Sequence, residues 1–301
     1  MFALPVAVPV ALSVTLALAT GIAHADPAVI YDMGGKFDKS FNQAGFDGAE
    51  RWKKEGGKGY LEFEISNPTQ REQAMRRMAE RGATPVVAIG FAMGSSIEKV
   101  AKDFPKLQFA IIDSEVKLPN VQSVTFREQE GSFLVGVMAA MASKSGKVGF
   151  VGGMDIPLIR RFQCGFEQGA KYANPKINVT GNMTGTTPTA WNDPARGSEL
   201  AKSQFAAGVD VIFAAAGGTG MGVYQAAKDG GKLAIGVDSN QNHLQPGTML
   251  TSMVKRVDVA IDANNAKLVT PEMKKAVDSA RADIVSGKIK VIDYMATNSC
   301  E

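Results

Sequence analysis

Cysteine, histidine and clustered positive charge are scarce in this 301-residue chain, and each scarcity removes a class of function. Two cysteines, Cys164 and Cys300, form no C-x-x-C pair, which excludes a zinc ribbon or a dithiol redox motif. There are two histidines, His24 and His243, and the second sits in the turn-like stretch "NQNHLQPG". The patterns G-x-S-x-G, H-E-x-x-H and the phosphate-binding P-loop are absent, so no nucleophile elbow, zincin helix or ATP site is expected. Neither a cofactor nor a metal is expected, and the chain does not read as an enzyme. Lysine and arginine number 33 against 30 acids, for a net charge of +3, with no basic cluster. Nucleic-acid binding needs a concentrated basic patch, and none is visible. Heptad runs and low-complexity linkers are missing too.

What is present is ordinary globular material, 45% hydrophobic and 21% charged. The length suits two domains better than one. Residues 1–25 stand apart: "LPVAVPVALSVTLALATGIA" carries no charge and runs into "AHA" before Asp26. Small residues at Ala23 and Ala25 are what a signal peptidase reads, so 1–25 is expected to be a signal peptide cleaved before Asp26. The n-region lacks Lys and Arg, and a retained membrane anchor is the alternative, since the stretch is just long enough to span a bilayer. No cysteine follows the apolar run, so no lipid attachment is expected. His24 would be lost with this segment. In an exported chain Cys164 and Cys300 can form one disulfide; the alternative is one buried thiol and one on a loose tail.

Beyond Asp26, short β-rich runs alternate with helical ones. Strands are expected at "AVIYD", "YLEFEI", "TPVVAIG", "LQFAIID" and "VQSVTF", then at "KVGFVGG", "INVTG", "VDVIFAAA", "KLAIGVD" and "TMLTSMV". Several are continuous apolar runs, as strands covered on both faces should be. Between them, "NPTQREQAMRRMAERG" opens on Asn67-Pro68 and stops at Gly82, and "DPARGSELAKSQFAAG" opens on Asp193-Pro194 and stops at Gly208, both proline-started and glycine-stopped helices. "SFLVGVMAAMAS" is apolar almost all round and should be buried. "VDVAIDANNAKLV" and "PEMKKAVDSARADIVSG" are read as the last helices. The alternation predicts an α/β fold of two doubly wound parallel-sheet lobes. Crossings between lobes are expected near Phe126–Glu128 and Thr251–Val254. Lobe 1 is then 26–127 plus 255–288, and lobe 2 is 128–254 plus 289–301.

Ligands in such sheets bind beyond the carboxyl ends of the strands. There the sequence has Asp32-Met33-Gly34-Gly35, Gly90-Phe91, Asp113, the run "GGTGMG" from Gly217 and Gly218, and Asp238. Asp32 can accept hydrogen bonds from a ligand or cap the next helix. The glycine run can approach a ligand or simply turn the chain; its spacing is not that of a dinucleotide fingerprint. Phe41 in "DKSFNQ" and Trp191 in "TAWNDP" are aromatics in polar loops, which can sandwich a flat ligand or pack on their own helices. Lys255 can donate to ligand oxygens or pair with Asp258.

Seven segments in order, "GGKFDKSFNQAGFDG", "REQEGSFLVG", "VGGMDIPLIRRFQCGFEQG", "WNDPARG", "AAGGTGMGV", "IGVDSNQN" and "GTMLTSMVKRVD", resemble the basic membrane protein family of ABC-transporter substrate-binding proteins, in particular its purine nucleoside receptors. The resemblance covers essentially the whole chain after residue 25. It implies the type I periplasmic binding fold, with lobes joined by crossing strands and a ligand closed between them. It further implies a purine clamped by Phe41 and Trp191, a base contact at Asp32, ribose contacts at Asp238 and Lys255, backbone contact at Gly217 and Gly218, and an additional donor at Asn42. The partners it implies are a purine nucleoside or nucleobase, an ABC permease and its ATPase, with the binding protein a monomer free in the periplasm. Many relatives are lipoproteins, whereas this chain has no lipid-site cysteine. Trp191 stands where phenylalanine is more usual, and a larger ring narrows the pocket toward a bare base such as adenine. The alternatives are a sensor for another flat heterocycle (a flavin or a thiamine-like compound) signalling to a membrane partner, a transcription factor of related fold, and a secreted nucleoside hydrolase.

Overall fold

A computed structural model describes residues 26–56, 59–255, 258–259 and 262–300. The expected signal peptide lies outside the described residues.

The first sheet is built from β1 (Ala28–Tyr31), β2 (Leu61–Glu64), β3 (Val86–Ile89), β4 (Phe109–Ile112) and β5 (Val121–Val124), all parallel, in the order β2-β1-β3-β4-β5. Its strands alternate their loyalties. Ala28 and Ile30 join the core beneath α2 (Gln70–Glu80) and α3 (Gly94–Asp103), while Val29 and Tyr31 pack under Phe41 and Phe46 of α1 (Phe41–Gly56). Successive strand side chains point to opposite faces, and both faces of the inner strands are covered, which is why β1, β3 and β4 are apolar throughout while the edge strands β2 and β5 carry polar residues.

The chain crosses after β5 and enters α4 (Glu128–Ala142), within the expected crossing at Phe126–Glu128. Then follow β6 (Lys147–Met154), α5 (Pro157–Ala173), β7 (Asn178–Gly185), a 3-10 turn Pro188–Trp191, α6 (Pro194–Ala206), β8 (Val211–Ala215), α7 (Gly220–Asp229), β9 (Leu233–Asp238) and β10 (Met249–Val254). They form a second sheet in the order β11-β10-β9-β8-β6-β7, closed by a short antiparallel β11 (Asp258–Val259). Val211, Phe213 and Ala215 face the core under α4 and α5, and Ile212 and Ala214 face α6 and α7. Asp193 caps α6 through Arg196 N, with Pro194 in its first turn, and Gly208 beyond its end has φ 93°.

Three expectations need correction. Thr251–Val254 is no crossing: β10 stays paired with β9 in the second sheet. The expectation that 255–288 belongs to lobe 1 fails at α8 (Pro271–Val285), which inserts Met273, Val277 and Ala280 into the second core beside α4. "VDVAIDANNAKLV" is not a helix across its described residues. Asp262 accepts from Asn264 N at 2.7 Å and Asn265 from Asp262 N at 2.8 Å, and such local side-chain bonds favour turns over helix. A smaller difference concerns α2: Asn67 accepts from Thr69 N at 3.0 Å, so a turn precedes the helix, which begins at Gln70.

At the C-terminal end, α9 (Tyr294–Thr297) packs on α5, and Cys300 is joined to Cys164 by a disulfide.

Candidate ligand-binding site

Strand order reverses at β1/β3 in the first sheet and at β6/β8 in the second, and the carboxyl ends at such switch points are where open α/β sheets bind ligands. In this chain the two switch points face each other across one cavity. It has about 630 Å³ of free space, part of it open to solvent, within the range of small-molecule sites. Asp32, Phe41, Asn42, Trp191, Gly217, Asp238 and Lys255 all line it. Gly218 is buried and does not line it.

Asp32 follows β1 and is clasped by Arg71, whose Nε donates to Oδ1 at 2.9 Å, with a terminal nitrogen also 2.9 Å from that oxygen. It does not cap the following helix. Asp38 does: its Oδ1 accepts from the backbone N–H of Ser40 and Gln43, and its Oδ2 from that of Asn42. Burial pushes the Asp38 carboxyl upward, against those three bonds. Gly34 and Gly35 turn the loop with φ 123° and 91°, values only glycine adopts freely.

Asn42 was expected as a donor to the ligand. Its amide nitrogen is instead committed to the carbonyls of Asp32 at 2.9 Å and Gly35 at 3.2 Å. These bonds fix the amide's orientation and leave Oδ1 buried without a partner among the described residues, so what Asn42 offers is an acceptor.

Phe41 opens α1 on the first lobe. Trp191 ends the 3-10 turn on the second and meets Phe91 of the first edge-on, with ring centroids 6.5 Å apart. A Cβ at Gly153 would run into the indole, so a glycine at that point of β6 makes room for it. Trp191 therefore packs between β6 of its own lobe and Phe91 of the other, rather than on its own helix.

Lys255 follows β10 and is buried. Its ammonium pairs with Asp113, at the end of β4 in the other lobe, lies 3.6 Å from Glu128 and sits 4.6 Å from the Phe41 ring centroid. Burial opposes its charge, but Asp113, Asp238 and Glu128 outweigh it and hold the ammonium above the ordinary lysine value. The alternative pairing with Asp258 lies outside the described side chains. Glu128 is raised by burial, with Lys255 and Arg161 pulling the other way. Asp238, with φ 67°, accepts from Ser40 Oγ at 2.6 Å across the cleft. Burial pushes its pKa up to about 6, against Lys255 and the Ser40 hydroxyl.

Sequence reasoning did not single out Asp38, Ser40, Arg71, Glu128 or Phe162. Asp113 and Phe91 were noted as strand-end residues but given no role. The open polar valences of the cavity are mostly acceptors: Asn42 Oδ1 and Asp113 Oδ1 are buried without partners among the described residues. The site therefore suits a ligand that brings N–H or O–H donors on a flat ring. Among the described residues no group of His, Cys, Asp and Glu is arranged to hold a metal ion, and no helix is long and apolar enough to cross a membrane.

Comparison with known proteins identifies the family. A family model described as "ABC transporter substrate-binding protein PnrA-like" matches residues 26–299. A Lactococcus lactis protein described as an ABC transporter nucleoside-binding protein, BmpA, is 32% identical over 88% of each chain. Basic membrane protein A2 of Borrelia garinii is 33% identical over 88% of this chain and 80% of its own. A solute-binding protein of an ABC transporter system from Aeropyrum pernix superposes with a TM-score of 0.80 at 25% identity, covering 89% of this chain and 93% of that one. Where these descriptions name a role, it is substrate, nucleoside or solute binding for an ABC transporter, not catalysis. The chain belongs to the Bmp family, the PnrA-like substrate-binding proteins of ABC transporters.

Proposed function

We propose that this chain captures a purine nucleoside or nucleobase between its lobes and delivers it to an ABC permease powered by a separate ATPase. The observation that carries the reading is the pairing of Phe41 and Trp191, one from each lobe, on the walls of a cavity edged by Asp32, Asp238 and Lys255. A flat base stacks between the two rings. Asp32 takes donors on the base, and Asp238 and Lys255 serve the ribose. The nucleoside-binding description of the Lactococcus relative supports the same ligand class. Export through a cleaved signal peptide, a periplasmic location and a monomeric state complete the reading.

Closure is the working step. A ligand that touches both lobes stabilises the closed form more than the open one, and shifts the population accordingly. Excluding water strengthens the polar contacts that remain.

Calorimetry against bases and nucleosides tests the proposal. Phe41→Ala and Trp191→Ala are each expected to weaken purine binding by about 1–3 kcal/mol, the contribution of one stacked base. Unchanged affinity in both variants would remove the clamp. Binding of a flavin or a thiamine-like compound in place of any purine would transfer the site to another heterocycle.

A further inference from the structure

Arg71 was not anticipated as part of the site, and its position gives the cavity a polarity that discriminates among purines. It is the second residue of α2 and is largely buried, with 13% of its side chain accessible. It lines a recess of about 360 Å³ that shares Asp32, Met33, Phe91 and Trp191 with the main cavity. Apart from Asp32 and Arg71, that recess is walled by apolar and aromatic side chains.

The contact between the two residues is lopsided. Nε and one terminal nitrogen of Arg71 both fall on Oδ1 of Asp32. Among the described residues, no hydrogen bond is made by Asp32 Oδ2 or by the other terminal nitrogen, Nη1. Gly90 explains why Asp32 can sit this way: a Cβ there would lie 2.9 Å from Asp32 Cβ and 3.2 Å from Oδ2, and its φ of 128° suits glycine alone. The result is an acceptor beside a donor, both fixed in place beside Trp191. A carboxylate only accepts, and a guanidinium only donates and never loses its proton.

We propose that Asp32 and Arg71 together read the edge of a 6-oxopurine, as in inosine or guanosine, and discriminate against a 6-aminopurine. Hypoxanthine and guanine carry a carbonyl acceptor at C6 next to an N1–H donor, the complement of the guanidinium and carboxylate. Adenine presents the reverse, an amino donor next to an N1 acceptor. Its N1 lone pair would face a carboxylate, and its amino group a guanidinium. Sites built to hydrogen-bond a ligand reject the mismatched analogue strongly, because their own buried groups are left unpaired. Arg71 is thus a specificity residue, and the inference rests on the purine reading above.

The test is calorimetry with inosine, guanosine and adenosine on the full-length mature protein and on Arg71→Met and Arg71→Lys. Inosine and guanosine are expected to bind the parent at least tenfold more tightly than adenosine. Arg71→Met is expected to lose affinity for inosine by about tenfold or more while adenosine changes little, so that the ratio collapses; Arg71→Lys should restore part of it. A purely structural role for Arg71 would weaken all three ligands alike. Equal affinity of the parent for inosine and adenosine overturns this inference and leaves the purine reading standing. Failure of every purine to bind overturns both. The comparison on the parent protein needs no variant, so a folding defect in Arg71→Met would not obscure the result.

Discussion

Asp238 carries a charge where its surroundings disfavour one. Burial raises its pKa to about 6, with Lys255 and the Ser40 hydroxyl opposing the shift, whereas an unfolded aspartate titrates near 4. Between about pH 4 and pH 6 the folded chain holds a proton that the unfolded chain has released. Stability from this group is therefore fully present below about pH 4 and is lost as pH rises through 6. Glu128 and Asp38, also pushed up by burial, act in the same direction. Asp238→Asn is expected to exceed the parent in stability by about 1–3 kcal/mol at pH 7.5 and to match it near pH 4. Urea melts at the two pH values measure this, and an equal offset at both would refute it. At this scale the sequence marks acids and aromatics at strand ends, because strand ends are recognisable locally. Their partners are not marked. Arg71 is 39 residues from Asp32, Asp113 is 142 from Lys255 and Ser40 is 198 from Asp238, so each pair is set by the fold alone and leaves no local pattern.

Helices α4 and α5 run side by side with their backbones nearly touching. A Cβ on Gly136 would collide with the carbonyl oxygen of Phe166, one on Gly165 with that of Gln129, and one on Gly169 with that of Phe133. Gly165 and Gly169 are one turn apart on α5 and form the smooth face that permits this approach. Gly169→Ala would gain about 1 kcal/mol of helix propensity, but the added methyl has to drive two buried helices apart. Overpacking of this kind typically costs about 1–3 kcal/mol, and here the obstacle is backbone, which gives least. A net loss of stability is expected, read as a lower urea midpoint with an unchanged slope; an equal or higher midpoint would contradict it. The burial of α4 was legible in its all-round apolar sequence, and the central strands such as β1, β3, β4 and β8 were legible as apolar runs. The partner of α8 was not. Its amphipathic pattern says that one face is buried, and nothing in that pattern says against which lobe.

For the whole molecule, the cleft is spanned among the described residues by the Phe91–Trp191 edge contact and by a few polar bonds. Ser40 donates to Asp238, Lys255 pairs with Asp113, and Gln241 Nε2 donates to the carbonyl of Lys39 at 2.7 Å. Few contacts between two separately cored lobes are what a closing device requires. The crossing itself is braced from the chain's other end. Arg161 of α5 holds the Phe126 carbonyl at 3.1 Å and Glu128 at 2.8 Å, and forks onto Asp293 at 2.7 and 2.8 Å. Asp293 starts α9, and the disulfide to Cys300 pins that segment to α5 across a sequence separation of 136 residues. Bridges closing loops of this size stabilise by about 2–5 kcal/mol in the chain-entropy view, and they persist outside the cytoplasm. Cys300→Ser is expected to lower the melting temperature by roughly 4–20 °C, as is a reductant added to the parent. The unfolded, unreduced parent should show no free thiol, and two titratable thiols would dismiss the bridge. The same variant locates its influence on binding. Because Glu128 lies between Arg161 and Lys255, a tail that loosens Arg161 should weaken ligand binding as well as stability. A lower melting temperature with unchanged affinity would confine the tail to a purely structural role.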